Sequence, residues 1–298
     1  MPPASVPSKR SFRSSRPSSK GRSRWRYRQT TLARRARLDS ELVRRGLATS
    51  RREAQRAIDA GAVKVRGMPA PKAAALVDAD EAITISEETE RFVSRGGRKL
   101  DGALARWAVP VTGRRWLDAG ASTGGFTDRL LQGGAASVLA VDVGYGQLDW
   151  RLRNDDRVVI LERLNVRALT PEQMPWRPDG IVADLSFISL RLVLPVLARV
   201  ARDDADFLLL VKPQFEVGRG SVPRGGVVRD PRLWALAIDA VVVSGAQSGL
   251  GTVGVAPSDL PGPAGNREFF LHLKGGAPAV VPDIDRAVEA AVTEAAGK

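Results

Sequence analysis

The stretch RRWLDAGASTGGFTDRLLQGGAASVLAVDV, residues 114–143, decides the fold of this chain. It opens with a short apolar run that contains Asp118, passes through a glycine-rich turn into an amphipathic segment, and closes with a second apolar run that reaches Asp142. The order strand, tight turn, helix, strand is typical of a βαβ unit with parallel strands. We therefore expect an α/β sheet built outward from these residues.

Five more apolar runs follow, and helical segments separate several of them. These predicted strands are VVILE, GIVADLS, DFLLLVK, GTVGVAP and REFFLHLK. With the first two runs they predict a doubly wound, Rossmann-like α/β sheet of about seven strands, in which the last strand can return antiparallel.

Ligands of such sheets bind at the carboxyl ends of the parallel strands. If the last strand is antiparallel, its beginning lies at the same edge of the sheet. The polar and turn residues expected at this edge are Asp118, Gly120, Asp142, Asn165, Asp184, Lys212 and Glu268. So many ionisable groups at one edge are hard to explain by stability alone, and they indicate a ligand site.

The turn from Gly120 to Gly125 does not follow the G-x-G-x-x-G pattern, so it fits a dinucleotide pyrophosphate poorly. A glycine turn with hydroxyl groups suits close approach of the backbone to a less charged ligand, such as the amino acid and ribose of S-adenosylmethionine. Asp142 follows 22 positions after Gly120, where an acid binds ribose hydroxyls. The alternative is a structural turn followed by an ordinary strand-end aspartate.

The net charge of +13 lies entirely in the first fifth of the chain. Residues 1–60 contain 17 basic and 4 acidic residues, whereas the rest of the chain contains 29 of each. A basic front end on a neutral body suggests a polyanionic partner, above all a nucleic acid. The alternatives for the Ser-, Arg- and Pro-rich residues 1–31, which we expect to be disordered, are a solubility tail and an organelle transit peptide.

Residues 32–88 predict two short helices and a few strands. Leu38 and Leu42 are spaced i, i+4, Gly46 ends the first helix, and Ser50 caps the second helix, with Glu53 at the capping-box position. Over about residues 37–85 the chain resembles the S4-type RNA-binding domain, a small α+β unit, and the spacing from Arg37 to Gly67 is part of that match. Phosphate contacts explain the arginines of the two helices better than an ordinary solvated surface does. The predicted RNA-binding residues are Arg44, Arg45, Arg51, Arg52 and Arg56.

Composition excludes several chemistries. The chain has no cysteine and one histidine, His272, which excludes disulfides, thiolate catalysis and zinc sites of ordinary ligand type. No run approaches the roughly eighteen apolar residues of a membrane span. We expect a cytoplasmic protein with neither a metal nor a membrane as its partner, and a packed or surface position for His272.

Seven motifs, in order, extend the resemblance to the whole body of the chain. They are VSRGGRKL, DAGASTGGFTD, VDVGYGQL, ERLNVR, ADLSFISL, LVKPQFE and NREFF. Over about residues 33–275 the chain resembles the TlyA (haemolysin-A-like) family, ribosomal RNA 2′-O-methyltransferases with an S4-type domain and an FtsJ-like domain.

The resemblance implies a class I methyltransferase sheet, S-adenosyl-L-methionine as the cofactor, and ribosomal RNA or ribosomal subunits as the partner. It implies a linker at 89–95, an FtsJ-like domain at 96–276, and a C-terminal tail at 277–298 with helical potential. The implied catalytic residues are Lys99, Asp184, Lys212 and Glu268. The implied cofactor residues are Asp118, Gly120, Ser122, Thr123, Gly124, Gly125, Phe126, Asp142, Asn165 and Asp184.

The acceptor chemistry can be tested against the residues present. Methylation at cytosine C5 normally needs a cysteine, and exocyclic-amine enzymes usually carry an Asn/Asp-Pro-Pro-aromatic turn where this chain has DLSF. A hydroxyl acceptor remains, and a ribose 2′-hydroxyl needs a base. Lys212 is the candidate base, with the charge of Lys99 favouring its proton-accepting form, Asp184 aligning it, and Glu268 positioning the lysines or the ribose.

Two other functions stay open at this point. One is an RNA-binding protein with a catalytically inactive methyltransferase domain, and the other is a membrane-active haemolysin, as the family's historical name suggests. The resemblance favours cytidines of 23S rRNA as targets. The full first helix of the N-terminal unit extends the prediction to 16S rRNA.

Overall fold

The computed structural model describes residues 35–59, 61–70, 72–85, 91–277 and 284–297. The predicted tail at 1–31 and the first residues of the predicted linker lie outside the described residues. The described chain forms a small N-terminal α+β unit and a larger three-layer α/β unit.

The N-terminal unit packs two helices against short antiparallel strands. Its helices are α1 (Leu38–Arg44) and α2 (Arg51–Asp59), and its strands are β1 (Ala36–Arg37), β2 (Val63–Val65), β3 (Met68–Pro69), β4 (Leu76–Val77) and β5 (Ile83–Ile85). Strands β3, β2 and β5 form one sheet in that order, and β1 pairs with β4. Leu38 and Leu42 are fully buried, so the apolar spacing of the sequence did identify the inner face of α1.

The ends of these helices follow the local sequence. Gly46, with φ +70°, adopts the left-handed conformation that ends α1. Ser50 Oγ accepts a hydrogen bond from the backbone N–H of Glu53 at 3.2 Å, as expected of an N-cap. The Glu53 carboxylate accepts instead from the N–H of Thr49 at 2.6 Å, one residue before the cap.

The larger unit is a seven-stranded sheet with helices on both faces. Its strands are β6 (Arg115–Ala119), β7 (Ser137–Val141), β8 (Val158–Leu161), β9 (Gly180–Ala183), β10 (Asp206–Val211), β11 (Leu250–Pro257) and β12 (Phe269–Gly275). Their order is β11-β12-β10-β9-β6-β7-β8, and β12 runs antiparallel to both of its neighbours. The predicted seven-stranded sheet and its reversed last strand are confirmed.

Two apolar layers flank the sheet because successive strand residues face opposite sides. The helices are α3 (Arg95–Arg106), α4 (Gly125–Gln132), α5 (Trp150–Arg153), α6 (Leu194–Val200), α7 (Pro213–Glu216), α8 (Pro231–Gln247) and α9 (Ile284–Ala296). Trp116 and Phe270 lie in the core with α3 and α4, whereas Leu117 and Phe269 lie in the core with α6 and α8.

His272 lies inside the sheet, far along β10 from Lys212. Its Nε2 is 3.0 Å from Asp206 Oδ1 at the beginning of β10, and its ring lies 5.4 Å from the ring of Trp107. The side chain is buried. The expectation of a packed histidine is therefore confirmed, and His272 is unsuited to act on a ligand at the carboxyl edge of the sheet.

The two units meet at the beginning of α3. Phe92 is buried, and the backbone N–H of Val93 donates to Asp128 Oδ2 on α4 at 2.8 Å. Arg95 runs past Gly61 of the N-terminal unit and donates to the carbonyl of Pro261 at 2.9 Å. The chain that joins the units is thus anchored on the larger unit.

Candidate active site

Strand register brings three of the four predicted catalytic residues to one edge of the sheet. Asp184 follows β9 and Lys212 follows β10, two neighbouring parallel strands. Val211 pairs with Phe269 across β10 and β12, so the same register sets Lys212 opposite Glu268. Lys99 comes from α3 rather than from a strand end, and the sequence had not predicted that helix.

The four side chains form two ion pairs. Lys212 Nζ lies 2.5 Å from Asp184 Oδ1 and donates to Ser186 Oγ at 3.0 Å. Lys99 Nζ lies 2.5 Å from Glu268 Oε2. Both lysines and Glu268 are buried, whereas the Asp184 side chain is 24% exposed and lines the adjacent cavity.

The two ion pairs alter the effect that Lys99 was expected to have on Lys212. The charge of Lys99 was expected to favour the proton-accepting form of Lys212 by repulsion. Glu268 neutralises Lys99 at hydrogen-bonding distance, and Asp184 does the same for Lys212. The expected repulsion between the two lysines is therefore offset by a carboxylate on each.

A cavity of about 680 Å³ adjoins the Lys212–Asp184 pair along the ends of β6, β7, β8 and β9. Five of the ten predicted cofactor residues line it, namely Gly120, Ser122, Asp142, Asn165 and Asp184. The other five do not line it, namely Asp118, Thr123, Gly124, Gly125 and Phe126.

The glycine turn is shaped by its own neighbours. Gly120 has φ +85°, and a Cβ there would lie 2.8 Å from the carbonyl oxygen of Asp184. Gly124 has φ +98° directly before α4. The turn therefore needs glycine for the packing of β6 against β9, and a side chain at Gly120 would displace the turn itself before it met a ligand.

Asp118 is the clearest departure from the predicted cofactor set. Its side chain is fully buried, and its Oδ2 accepts from Thr127 Oγ1 at 2.7 Å, while Oδ1 has no partner among the described residues. It shares the strand face of Trp116, so it points towards α4 and away from the cavity. Burial raises the pKa of Asp118 to about 7. Phe126 is likewise buried and packs against Phe270.

Asp142 and Asn165 do line the cavity, and both also accept hydrogen bonds from backbone N–H groups. The Asp142 carboxylate accepts from the N–H of Ser122 at 2.8 Å and from the N–H of Gly144 at 2.7 Å. It thereby joins the turn after β6 to the loop after β7. Asn165 Oδ1 accepts from the N–H of Arg167 at 3.0 Å.

Sequence reasoning missed several residues of this cavity. Ser186 contacts Lys212, and Phe187 lies at the rim with its side chain 91% exposed and its backbone at φ +65°. Gln147 lines the opposite wall. A signal was available for two of them, because a hydroxyl residue and an aromatic residue follow the strand-end Asp184 two and three positions later.

The five arginines predicted to bind RNA are not equivalent. Arg45 is largely buried and donates to Glu41 at 2.7 Å, to the carbonyl of Glu81 at 2.7 Å and to that of Ala79 at 3.0 Å. Its guanidinium is therefore occupied by the fold of the N-terminal unit. This placement argues against a phosphate-binding role for Arg45.

The other four arginines keep exposed side chains. Arg44 pairs with Glu41 at 2.6 Å, and Arg51 pairs with Asp39 at 3.0 Å, yet both arginines are about 60% exposed. Arg52 and Arg56 are exposed and form no ion pair within the part of the chain that the structure describes.

The carboxylates of this network are buried. The hydrogen bond from Arg44, reinforced by Arg45, lowers the pKa of Glu41 to about 2. The hydrogen bond from Arg37, with a second from Arg51, holds the pKa of Asp39 well below its usual range. The sequence suggested arginines with little compensating acid, whereas two buried acids compensate four of the arginines in this unit.

Known families match both units of the chain. The family model described as FtsJ-like methyltransferase matches residues 92–275, and the S4 domain matches residues 36–83. The 16S/23S rRNA (cytidine-2′-O)-methyltransferase TlyA of Mycobacterium tuberculosis is 58% identical over 244 residues, covering 82% of this chain and 91% of the relative. The chain belongs to the TlyA family of FtsJ-like methyltransferases.

Two further proteins are similar to this TlyA-family chain over most of its length. The YqxC protein of Bacillus subtilis is 46% identical over 238 residues, covering 80% of this chain and 85% of the relative. A solved structure of a Streptococcus thermophilus protein that carries a hemolysin label superposes with a TM-score of 0.70 at 37% identity. That match covers 88% of this chain and 95% of the other.

The TlyA-family chain is a methyltransferase that uses S-adenosylmethionine. The cavity fits such a group, because its size lies within the roughly 300–1,000 Å³ of small-molecule sites and it offers the Asp142 carboxylate, the Asn165 carboxamide and apolar walls from Leu164 and Ile188. Among the described residues, no side-chain cluster could hold a metal ion. No helix in that part of the chain is long and apolar enough to span a bilayer.

Proposed function

We propose that this enzyme methylates ribosomal RNA on a ribose 2′-hydroxyl, at cytidines of 23S rRNA and also of 16S rRNA, in the cytoplasm. The observation that carries the proposal is the contact between Lys212 and Asp184, whose carboxylate lines the cavity. A hydroxyl acceptor needs a base close to the methyl donor, and Lys212 with Asp184 supplies one at the cavity wall. The name of the Mycobacterium tuberculosis relative supports the cytidine and the two subunits.

The bound cofactor supplies an electrophilic methyl group on its sulfonium. In the proposed mechanism, Lys212 first releases its ammonium proton to solvent, and its neutral Nζ then accepts the proton of the ribose 2′-hydroxyl as the oxygen attacks the methyl group. Asp184, 2.5 Å away, stabilises the ammonium that forms. The contact with Ser186 fixes the direction of Nζ.

The Lys99–Glu268 pair has a proposed role that differs from that of the Lys212–Asp184 pair. The Lys99 ammonium stabilises negative charge that develops on the ribose oxygen during attack. Glu268 holds Lys99 in place and keeps the buried charge paired, since an unpaired buried ammonium would be costly.

The proposed cofactor contacts follow the cavity wall. Asp142 would accept from the ribose hydroxyls of the cofactor through the lone pairs that its two backbone bonds leave free. The backbone of Gly120 and Ser122 would hold the amino-acid end, and Asn165 would hold the base. Thr123, Gly124, Gly125, Phe126 and Asp118 shape the turn and the beginning of α4 without reaching the cavity.

The N-terminal unit is proposed to bind the RNA. The exposed guanidinium groups of Arg44, Arg51, Arg52 and Arg56 supply phosphate contacts, which set the position of the RNA relative to the cavity. The basic residues before Arg35 add salt-sensitive electrostatic attraction to the RNA in this proposal.

The test is methyl transfer from labelled S-adenosylmethionine to small subunits, large subunits and naked rRNA, with the modified nucleoside identified by mass spectrometry. We expect 2′-O-methylcytidine in the large-subunit RNA and the small-subunit RNA. Methyl groups on a base, or no transfer to any rRNA, would contradict the proposal. Leakage of dye-loaded liposomes measured alongside would reveal a membrane activity.

A further inference from the structure

Two segments beside the cavity are held against each other. The loop after β9, residues 184–189, lines the cavity, and α7 directly follows Lys212. Lys212 Nζ donates to Ser186 Oγ at 3.0 Å, and the ring of Phe187 lies 5.3 Å from the ring of Phe215 on α7. The position of the loop therefore bears directly on the position of the proposed base.

A buried carboxylate completes this contact. Glu216, the last residue of α7, is 5% exposed. It accepts from Ser189 Oγ at 2.5 Å and from the backbone N–H of Leu190 at 2.8 Å. Its nearest cation is Arg191, with Nε at 3.6 Å from Oε2. None of these atoms belongs to the proposed catalytic tetrad of Lys99, Asp184, Lys212 and Glu268, so the tetrad alone does not account for a charge buried here.

The loop needs such an anchor. Phe187 has φ +65°, a region that a bulky residue adopts only when its surroundings impose it. Its side chain is 91% exposed, so its one ring contact, with Phe215, buries little of the ring and does not hold the loop by itself. The Glu216 carboxylate fixes the loop two and three residues later, and the Lys212–Ser186 bond fixes it one residue earlier.

We propose that Glu216 is a positioning residue for methyl transfer. By holding Ser189 and Leu190 it keeps the strained loop against α7, so that Ser186 and Asp184 direct Lys212 Nζ towards the cavity. The proposal rests on the proposed role of Lys212 as the base. Burial, which raises the pKa of Glu216, agrees with a group kept in place for its hydrogen bonds.

The experiment compares Glu216→Ala, Glu216→Gln and a control, Glu289→Ala, an exposed glutamate on α9. Glutamine keeps an acceptor for the Leu190 N–H and a group that can donate to Ser189 Oγ, so it should rescue most of the activity. We expect kcat to fall about 10- to 100-fold in Glu216→Ala, because displacement of reacting groups by about 1 Å costs that much. The KM for rRNA should stay within about threefold in every variant, since the RNA-binding arginines are untouched.

A merely structural role would give a different result. Circular dichroism and thermal unfolding measure the folded fraction, and kcat is expressed per folded molecule. The proposal is overturned if folded Glu216→Ala keeps kcat within about twofold of the wild type, or if Glu216→Gln is as impaired as Glu216→Ala.

If Glu216→Ala does not fold, the kcat of Ser189→Ala tests the proposal instead, because this substitution removes only one of the hydrogen-bond donors to the Glu216 carboxylate. A several-fold loss of kcat in folded Ser189→Ala, with cofactor affinity retained, supports the proposal, and an unchanged kcat overturns it. Methyl transfer to rRNA by the wild-type enzyme tests the proposed function itself. The ratio of kcat between each variant and the wild type tests the role of Glu216. Failure of the proposed function is therefore distinguishable from failure of the Glu216 proposal.

Discussion

The Lys212–Asp184 pair beside the cavity and the Arg44–Glu41 pair of the N-terminal unit use the same charges but bury opposite partners. At the cavity, the Lys212 ammonium is buried, and the Asp184 side chain is the more exposed partner. In the N-terminal unit, the carboxylate of Glu41 is buried, and the Arg44 side chain reaches out 60% exposed.

The difference separates proton transfer from recognition. A lysine can lose its proton, and a buried lysine responds strongly to the charges around it, whereas arginine stays protonated and presents a fixed fork of donors. Burying lysine beside a cavity suits acid–base chemistry. Anchoring arginine on a buried acid holds a permanent cation at the surface, where phosphates can reach it.

The largest expected effect on methyl transfer comes from substitution of Lys212. Lys212→Ala should lower the rate of methyl transfer by about 10²- to 10⁴-fold, because the base is lost. Lys212→Arg should be nearly as inactive, since a guanidinium does not give up its proton. Single-turnover transfer to rRNA measures both. Lys274→Ala, at the other end of β12, serves as the control and should retain activity.

Cofactor affinity distinguishes this loss from collapse of the cavity. Calorimetry should give S-adenosylmethionine affinity within a few-fold of the wild type for Lys212→Ala. Full transfer activity in that variant at neutral pH would remove Lys212 from the mechanism, and the contrast between the two sets of ion pairs would lose its functional meaning.

Substitutions in the Lys99–Glu268 pair should have separate effects on the stability of the fold and on methyl transfer. Glu268→Leu alone leaves the Lys99 ammonium buried without a partner and should destabilise the fold by about 3–5 kcal/mol. Lys99→Met combined with Glu268→Leu removes both charges and should recover most of that stability, while methyl transfer remains impaired. Urea unfolding and transfer rates test this, and an active double variant would show that the pair is structural.

The arginines of the N-terminal unit should divide into two classes. Arg52→Glu combined with Arg56→Glu should weaken rRNA affinity and reduce its salt dependence, with no change in unfolding or cofactor affinity. Arg45→Ala should instead destabilise the N-terminal unit, because Glu41 and two carbonyls lose their donor. Filter binding across a salt series and thermal unfolding would show whether the classes are real or whether both variants behave alike.

The smallest expected effect is a pH dependence of opposite sign in the two units. Glu41, with its pKa lowered to about 2, stabilises the N-terminal unit fully above about pH 4.5, and this contribution is lost as the pH falls towards 2. Asp118, with its pKa raised to about 7, gives its unit most stability below about pH 4 and less as the pH rises to 7.

Tryptophan fluorescence reports mainly on the second effect, because five of the six tryptophans lie in the larger unit. Urea unfolding of the wild type between pH 5 and pH 8 should show stability that falls with pH. Asp118→Asn should flatten this slope, since an amide does not titrate. An unchanged slope in that variant would assign the titration to another group.

The sequence was sufficient for the sheet and for most of its polar edge. Apolar runs of strand length, separated by helical stretches, predict parallel strands, whose carboxyl ends bring Asp184 and Lys212 to the same edge of the sheet. Placing Glu268 there required only that the last strand reverse, as it does. Lys99 could be assigned only by resemblance, because its helix contacts Glu268 from 169 positions away.

What the sequence could not provide is the direction and the partners of individual side chains. Asp118 and Asp142 look alike as strand-end acids, but the pleat turns Asp118 into the core with α4. Arg45 and Arg52 look alike as helix arginines, but Arg45 meets carbonyls that are more than thirty positions away. Both distinctions depend on long-range packing that no local pattern contains.

The C-terminal helix carries a practical consequence. Helix α9 buries Val288, Ala291 and Ala295 against α8 and β11, and β11 is the last strand at its end of the sheet. Shortening the chain before residue 284 would uncover apolar surface next to unpaired backbone donors and acceptors, which is a template for edge-to-edge aggregation. Recombinant forms that end early should therefore be insoluble, even though every residue of the cavity and of the tetrad lies upstream.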